Sequence, residues 1–172
     1  GREVALKILH PKLASQPEHR ERFLREARAA NRVRHENVID IVDVCEADDG
    51  VVCLVMERLH GKSLADEIRQ GALPLTRVCR IGHQIAKALG RAHALGITHR
   101  DVKPANVFLL TRDGTPDFVK LLDFGLARWL GDMSLTKSNN VFGTPGYMAP
   151  EQIDGGIVGP PADLYALGCI LY

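Results

Sequence analysis

Two short apolar runs that lie close together in the chain, VFLL at 107–110 and FVKLL at 118–122, constrain the fold most strongly. Between them is Asp-Gly at 113–114, a dipeptide typical of tight β-hairpin turns. Apolar runs of this length, bounded by turn residues, predict strands. Pairing across this turn is expected to place Val107 opposite Leu122. The sequence therefore predicts an antiparallel hairpin whose open end lies just outside that pair.

Polar side chains stand at the predicted open end of this hairpin. One step beyond Val107 and Leu122 are Asn106 and Asp123, which the expected register brings face to face. Facing residues of an antiparallel pair lie about 5 Å apart. An amide oxygen beside a carboxylate suits Mg²⁺, which proteins usually hold with one or two carboxylate-type ligands plus substrate phosphates. The pattern predicts a magnesium site.

The segment HRDVKPAN at 99–106 adds reactive groups directly before the first strand of the hairpin. Asp101 lies five residues before Asn106, and a carboxylate there could take a proton from a hydroxyl nucleophile. Lys103, two residues further on, could neutralise charge on a transferring phosphoryl group. Together with the predicted metal site, these residues favour phosphoryl transfer.

The segment 3–9 predicts a strand, and Lys7 is its one charged interior residue. A buried lysine needs an anionic partner, and Glu26 on the next predicted helix is the candidate. That helix is expected to begin at SQPE (15–18), which has the form of a capping box. Its predicted buried stripe consists of Phe23, Ala27, Ala30 and Val33.

The remaining pattern indicates an α+β chain with a β-rich first part of roughly 60 residues and a helix-rich remainder. The predicted elements are a hairpin of 37–46 with 51–57, a short helix at 64–70, a longer helix from Thr76 to about Leu95, and a helix from Asp163 onward. The longer helix is expected to end at Gly96. Its predicted buried stripe consists of Val78, Ile81, Ile85, Leu89 and Ala92. The natural boundary between the two parts falls near 57–63.

Composition excludes several classes of protein. The 172 residues carry a formal charge of +1, which argues against nucleic-acid and membrane-surface binding. No apolar run approaches the 18 or so residues of a membrane span, and the four scattered cysteines, without a CxxC pair, are expected to be reduced. We therefore expect this segment to be cytoplasmic, whether or not its parent is membrane-anchored elsewhere. Both ends interrupt predicted elements, so we also expect a fragment of a longer protein.

The ordered motifs resemble those of the eukaryotic-type (Hanks-type) Ser/Thr protein kinase catalytic domain, particularly its bacterial members. VALKIL resembles the strand that carries the ATP-anchoring lysine, and FLREARAANRVRHENVI resembles helix C. HRDVKPAN resembles the catalytic loop, DFG at 123–125 the magnesium-binding turn, and GTPGYMAPE at 143–151 the end of the activation segment. Asp163 falls where the family has the aspartate that anchors the catalytic loop. The resemblance implies a two-lobed kinase-like fold, with a β-rich N-lobe and a mainly helical C-lobe, both truncated.

The resemblance also implies roles for individual residues. The active site would consist of Asp101 as catalytic base, Lys103 as a γ-phosphate contact, Asn106 and Asp123 as metal ligands, and Lys7 paired with Glu26 for ATP. The adenine site would consist of Met56 as gatekeeper, the backbone of Glu57 and Leu59 at the adenine edge, and Ala5 and Phe108 on its two faces.

Regulation is implied by the segment between DFG and APE. Thr136 and Ser138 resemble the autophosphorylated pair of bacterial family members, and Arg100 and Arg128 are expected to meet the added phosphates. Thr144 is expected in the substrate-docking turn and, with Lys103, to favour Ser/Thr over Tyr substrates.

The resemblance covers residues 1–172 as a partial kinase domain, with 1–59 as the N-lobe part and hinge and 60–172 as the C-lobe part. The family's Gly-rich loop is not in this sequence. The implied ligands are ATP and Mg²⁺, and the implied partners are proteins with Ser/Thr hydroxyls, with self-association for trans-autophosphorylation. The alternatives are a pseudokinase or scaffolding module on the same fold, or an inactive fragment. A small-molecule phosphotransferase conflicts with GTPGYMAPE, which resembles a protein-docking segment.

Overall fold

The computed structural model describes residues 3–10, 14, 16–46, 51–124 and 145–172. Within these ranges the strands are β1 (Val4–Ile8), β2 (Ile41–Glu46), β3 (Val52–Glu57), β4 (Gly61–Ser63), β5 (Val107–Arg112) and β6 (Thr115–Leu121). The α-helices are α1 (Pro17–Val33), α2 (Leu64–Ile68), α3 (Leu75–Ala94), α4 (Pro150–Ile153) and α5 (Pro160–Leu171), and short 3₁₀ turns cover Pro104–Asn106 and Pro145–Tyr147.

The first part of the chain is a three-stranded antiparallel sheet in the order β1-β3-β2, packed against α1. The predicted apolar stripe of α1 is confirmed, since Phe23, Ala27, Ala30 and Val33 are all buried. The predicted capping box is wrong. The N-cap residue is Gln16, which makes no side-chain cap bond, and Pro17 occupies the first turn, where its missing N–H costs nothing.

The second part combines the sheet β4-β5-β6 with α2, α3 and α5. The buried face of α3 contains Ile81, Ile85, Ala88, Leu89 and Ala92. Val78, which was expected in this stripe, is only half-buried. The helix ends before Gly96, whose φ of +72° is readily adopted only by glycine.

The hairpin β5-β6 is confirmed, but its predicted register is wrong by one residue. Val107 pairs with Leu121, not Leu122. An unbroken ladder from the Arg112–Thr115 pair would place Val107 opposite Lys120, and a bulge in β6 shifts its partner by one residue to Leu121. Around the turn Arg112 pairs with Thr115, whereas Leu110 pairs with Phe118, so two residues of β6 oppose one of β5.

Asp117 is the bulged residue and has φ +61°, an uncommon conformation for a residue other than glycine. Its buried carboxylate accepts hydrogen bonds from Arg77 Nε at 2.8 Å and Nη2 at 2.7 Å, and from Arg80 Nη2 at 2.6 Å. The Arg77 bond, more than any other contact, lowers the pKa of Asp117. Two arginines of α3 thus fix the bulge that sets the hairpin register.

The two parts share one core and a backbone connection. Directly after α1, the Asn37 carbonyl accepts from the Leu121 N–H at 2.8 Å, and the Ile39 N–H donates to the Leu121 carbonyl at 3.0 Å. Buried side chains of α1, β3, α3 and β6 form a continuous hydrophobic cluster. The result is the expected α+β arrangement, a sheet with one helix followed by a mainly helical part that contains the hairpin.

Cys45 and Cys53 correct one expectation. They are opposite each other on β2 and β3, with Cα atoms 5.2 Å apart, and are joined as a disulfide, so they are not reduced thiols. Cys79 and Cys169 are free. Among the described residues, no helix has the length and apolar character needed to span a membrane.

Candidate functional site

The loop before β5 is held by a buried aspartate on α5. Asp163 accepts a hydrogen bond from the His99 N–H at 2.8 Å on one oxygen and from the Arg100 N–H at 2.7 Å on the other. His93 Nε2 lies 2.7 Å from the first of these oxygens. Arg100 has φ +68°, a left-handed conformation that is costly for a side chain with a Cβ. Asp163 therefore anchors a strained loop, as the resemblance implied.

Asp101 follows the strained residue and is oriented from two directions. Asn106 Nδ2 donates to Asp101 Oδ2 at 2.8 Å and to the Asp101 carbonyl at 2.8 Å. Lys103 Nζ lies 2.7 Å from Asp101 Oδ2 and 3.0 Å from Oδ1. The Asp101 side chain is 16% exposed, so solvent can still reach it. The result is a partly buried carboxylate with fixed orientation beside a cation.

Asn106 and Asp123 do not face each other as predicted. The Asn106 carbonyl accepts from the Leu122 N–H at 2.9 Å, which leaves Asp123 one position further along the chain. Asn106 is buried, and because its amide nitrogen donates to Asp101, its amide oxygen is the atom suited to a cation. Asp123 adopts φ +53° directly after this point.

Lys7 reaches across to Asp123. Its Nζ is 2.5 Å from Asp123 Oδ1, and the two side chains are 29% and 37% exposed. Lys7 points from the central region of β1, where it pairs with Leu54. Glu26 lies on α1, but its side chain is outside the described part, so its pairing with Lys7 remains a prediction. The anionic partner that the structure does give Lys7 is Asp123.

His99 is a structural residue. It is fully buried, its Nε2 lies 2.8 Å from the Leu122 carbonyl, and its ring is 4.5 Å from the Phe124 ring. Burial lowers the pKa of His99, although the Asp163 charge opposes the shift. The imidazole is therefore neutral in the folded protein at neutral pH.

Comparison with known proteins agrees with this geometry. The family model of the protein kinase domain matches residues 1–172. Serine/threonine-protein kinase Pkn1 of Myxococcus xanthus is 46% identical over 100% of this chain and 25% of its own length. Serine/threonine-protein kinase pkn3 of the same organism is 42% identical over 98% of this chain and 32% of its own.

The chain belongs to the protein kinase domain family. The PknI kinase domain of Mycobacterium tuberculosis superimposes with a TM-score of 0.72 at 35% identity, over 95% of this chain and 60% of that domain. The chain thus spans about a quarter to a third of the curated relatives' length and about three fifths of this solved kinase domain. It is a partial kinase domain.

The residues expected on the adenine side lie on β1, β3 and β5, with Leu59 directly after β3. Met56 lines a small, mostly apolar cavity together with Lys7, Leu54 and Phe124. Ala5 pairs with Met56 across β1 and β3. Phe108 on β5 is half-buried, as is Leu59 after β3.

Glu57, of which only a backbone contact to adenine was expected, also makes side-chain contacts. Its N–H donates to the Asp40 carbonyl at 3.0 Å, so the Glu57 carbonyl is the backbone group left to meet an adenine edge. Its side chain accepts from the Asp40 N–H at 2.8 Å and pairs with Lys120 Nζ at 2.6 Å. Lys120 also donates to the Val38 carbonyl at 3.1 Å. This ion pair ties β3 to β6.

Sequence reasoning missed three side chains near the site: His93, Lys120 and Gln152. For Lys120, the one usable signal was a charged residue inside an apolar strand, the same signal that identified Lys7. Nothing in the pattern distinguishes His93 or Gln152 from other polar residues on a helix. Of the regulatory residues, Arg100 is described, whereas Arg128, Thr136, Ser138 and Thr144 lie outside the described residues.

Proposed function

We propose that the protein containing this chain is a Ser/Thr protein kinase that transfers the γ-phosphoryl group of Mg·ATP to Ser/Thr hydroxyls of proteins. The observation that carries the proposal is the orientation of Asp101 by Asn106 and Lys103, on a loop anchored by Asp163. A carboxylate held this way can accept the proton of a hydroxyl nucleophile as it attacks. Related proteins named as Ser/Thr kinases support the choice of reaction.

Lys103 contributes charge on the same side as the base. Its ammonium, 2.7 Å from Asp101, can stabilise negative charge that develops on the phosphoryl oxygens. This lysine also favours Ser/Thr substrates, since the resemblance associates tyrosine kinases with an arginine-containing variant of the loop. Thr144, in the proposed docking turn, favours the same substrates.

The residues present fit Mg·ATP. The Asn106 amide oxygen and the Asp123 carboxylate are hard oxygen donors of the kind Mg²⁺ takes, and Lys7 beside Asp123 can meet phosphate oxygens. Met56, the Glu57 and Leu59 backbone, Ala5 and Phe108 would form the adenine site. When bound, Mg·ATP supplies the group that is transferred. The chain's own residues position it and accept the substrate proton.

Regulation by autophosphorylation at Thr136 and Ser138 is part of this proposal. Arg100 and Arg128 would meet the phosphates with charge-assisted hydrogen bonds. Two molecules would have to associate for one to modify the other. Because the proposed reaction consumes ATP, this segment is proposed to be cytoplasmic.

Two substitutions in the full-length protein test the assignment. Asp101→Asn should abolish transfer to a protein substrate while nucleotide affinity stays within about twofold, because a base acts in the transition state. Asp123→Asn should also weaken Mg·ATP binding, measured by calorimetry. The exposed Asp154→Asn, on the loop after α4, is the matched control and should change neither. Equal loss of ATP affinity in the Asp101 and Asp123 variants would show that the two roles are wrongly assigned. An inactive parent protein would leave only the scaffold alternative.

A further inference from the structure

Gln152 on α4 connects two segments that the proposed function uses. Its Nε2 donates to the Arg100 carbonyl at 2.9 Å, in the loop that precedes Asp101. Its Oε1 accepts from the Ala149 N–H at 3.1 Å, at the start of α4. One amide side chain thus caps its own helix and holds the neighbouring loop, and each end of the amide has a distinct partner.

Arg100 receives this bond at a strained position. With φ +68°, it keeps its conformation only if the surroundings hold it. Asp163 on α5 accepts from the Arg100 N–H at 2.7 Å, and Gln152 on α4 donates to the Arg100 carbonyl. Two helices thus fix both backbone polar groups of this residue. Asp101 and its immediate partners belong to the loop, whereas Gln152 belongs to the segment 145–153.

Gln152 also lies where a protein substrate would meet the catalytic loop. The loop residues Asp101 and Lys103 and the segment residues Tyr147 and Gln152 line the same small cavity. The hydrogen bond from Gln152 to Arg100 joins the two walls of this cavity directly. This amide therefore helps to hold the segment at its distance from the loop.

We propose that Gln152 is a positioning residue for the protein substrate: it fixes the segment 145–153 against the catalytic loop. The inference rests on the proposed kinase function. Asp101 keeps Asn106 and Lys103, and Arg100 keeps Asp163, when the Gln152 bond is lost. The catalytic loop therefore keeps its conformation. Loss of the Gln152 bond is expected to weaken phosphorylation of the protein substrate and to leave ATP binding unchanged.

Gln152→Glu separates the two bonds of the side chain. A glutamate oxygen still accepts from the Ala149 N–H, but the other oxygen faces the Arg100 carbonyl as a second acceptor, and the contact becomes repulsive. Gln152→Leu removes both bonds. Gln70→Glu is the matched control, because Gln70 is exposed on the turn after α2 and makes only a 3.4 Å contact with the Asp66 carbonyl.

The test uses the full-length protein and three readouts: kcat/KM for a Ser-containing peptide, KM for ATP, and ATP hydrolysis without peptide. In both Gln152 variants peptide kcat/KM should fall about three- to tenfold, as expected for one lost hydrogen bond. KM for ATP and the hydrolysis rate should stay within about twofold of the parent, and Gln70→Glu should match the parent throughout.

Other outcomes have defined meanings. If Gln152→Glu phosphorylates the peptide at the parent rate, the inference is wrong. If ATP hydrolysis falls as much as peptide transfer, the residue supports the loop generally and the substrate-side inference is also wrong. A parent that hydrolyses no ATP and transfers no phosphoryl group overturns the proposed function itself, and this result is recognisable before any variant is made.

Discussion

Replacement of Asp163 by Asn should destabilise the domain strongly. The carboxylate is fully buried, and its two oxygens accept from the backbone of His99 and Arg100 at 2.8 and 2.7 Å. An asparagine has one acceptor oxygen and one NH₂ group in this place. The oxygen can retain one backbone N–H, while the NH₂ faces the other as a second donor. His93 can adapt by presenting an unprotonated nitrogen, but a backbone N–H cannot.

The magnitude follows from the bonds that are lost. A hydrogen bond to a charged group contributes about 1.5–3 kcal/mol, and a buried N–H left without an acceptor costs about 1–3 kcal/mol. These ranges describe overlapping losses, so we take about 3 kcal/mol for the change in the free energy of unfolding. For a domain of this size class each kcal/mol lowers Tm by about 2–4 °C, which gives a decrease of about 6–12 °C.

The assay is thermal unfolding of the full-length protein, followed by circular dichroism, alongside peptide phosphorylation. Asp154→Asn serves as the control, since it makes the same chemical change at an exposed aspartate. Tm of the control should stay within about 1 °C of the parent, as surface substitutions usually do. A decrease of less than 2 °C in Asp163→Asn, by the slope used above, would refute the reasoning.

Three further predictions concern pH dependence, the Lys120–Glu57 ion pair and regulation. Parent stability should fall more steeply than that of His99→Phe below pH 6.5 in a Tm series, because the buried neutral imidazole takes up its proton only on unfolding. Lys120→Met should raise KM for ATP about threefold, since it removes the ion-pair partner of Glu57, and an unchanged KM would separate that pair from ATP binding. Mass spectrometry of the active protein should find phosphate on Thr136, Ser138 or both, and the double Ala variant should lose most activity toward other substrates; a fully active double Ala variant would contradict this.

Helices and strands were largely predictable because burial follows periodicity. The stripe of α1 and most of that of α3 are buried as their spacing required. The start of α1 was not predicted correctly, because Ser15 and Glu18 have the capping-box pattern but the helix begins one residue later than that pattern requires, after Gln16. Local capping signals are weak compared with the packing of the whole helix.

The hairpin register shows a different limit. Turn type and hydrophobic pattern predicted that β5 and β6 pair, but the bulge at Asp117 depends on Arg77 and Arg80, which lie far away in the sequence. A one-residue change in register is enough to separate Asn106 from Asp123 across the ladder. Long-range ion pairs of this kind leave no local pattern, so the site residues could be named while their spatial relation could not.

The strain at Arg100 allows a sharper test of the anchor. In the left-handed region a residue with a Cβ costs about 1–2 kcal/mol, whereas glycine adopts it freely. Without full support from Asp163, an arginine there should leave this conformation more readily than a glycine, and Asp101 would move with it. The fractional loss of phosphorylation rate caused by Asp163→Asn should therefore be about 5- to 30-fold smaller in an Arg100→Gly background than in the parent. Rates are compared within each background, so any separate effect of removing the arginine side chain cancels. Equal fractional losses in the two backgrounds would mean that Asp163 anchors the loop without restraining the Arg100 backbone.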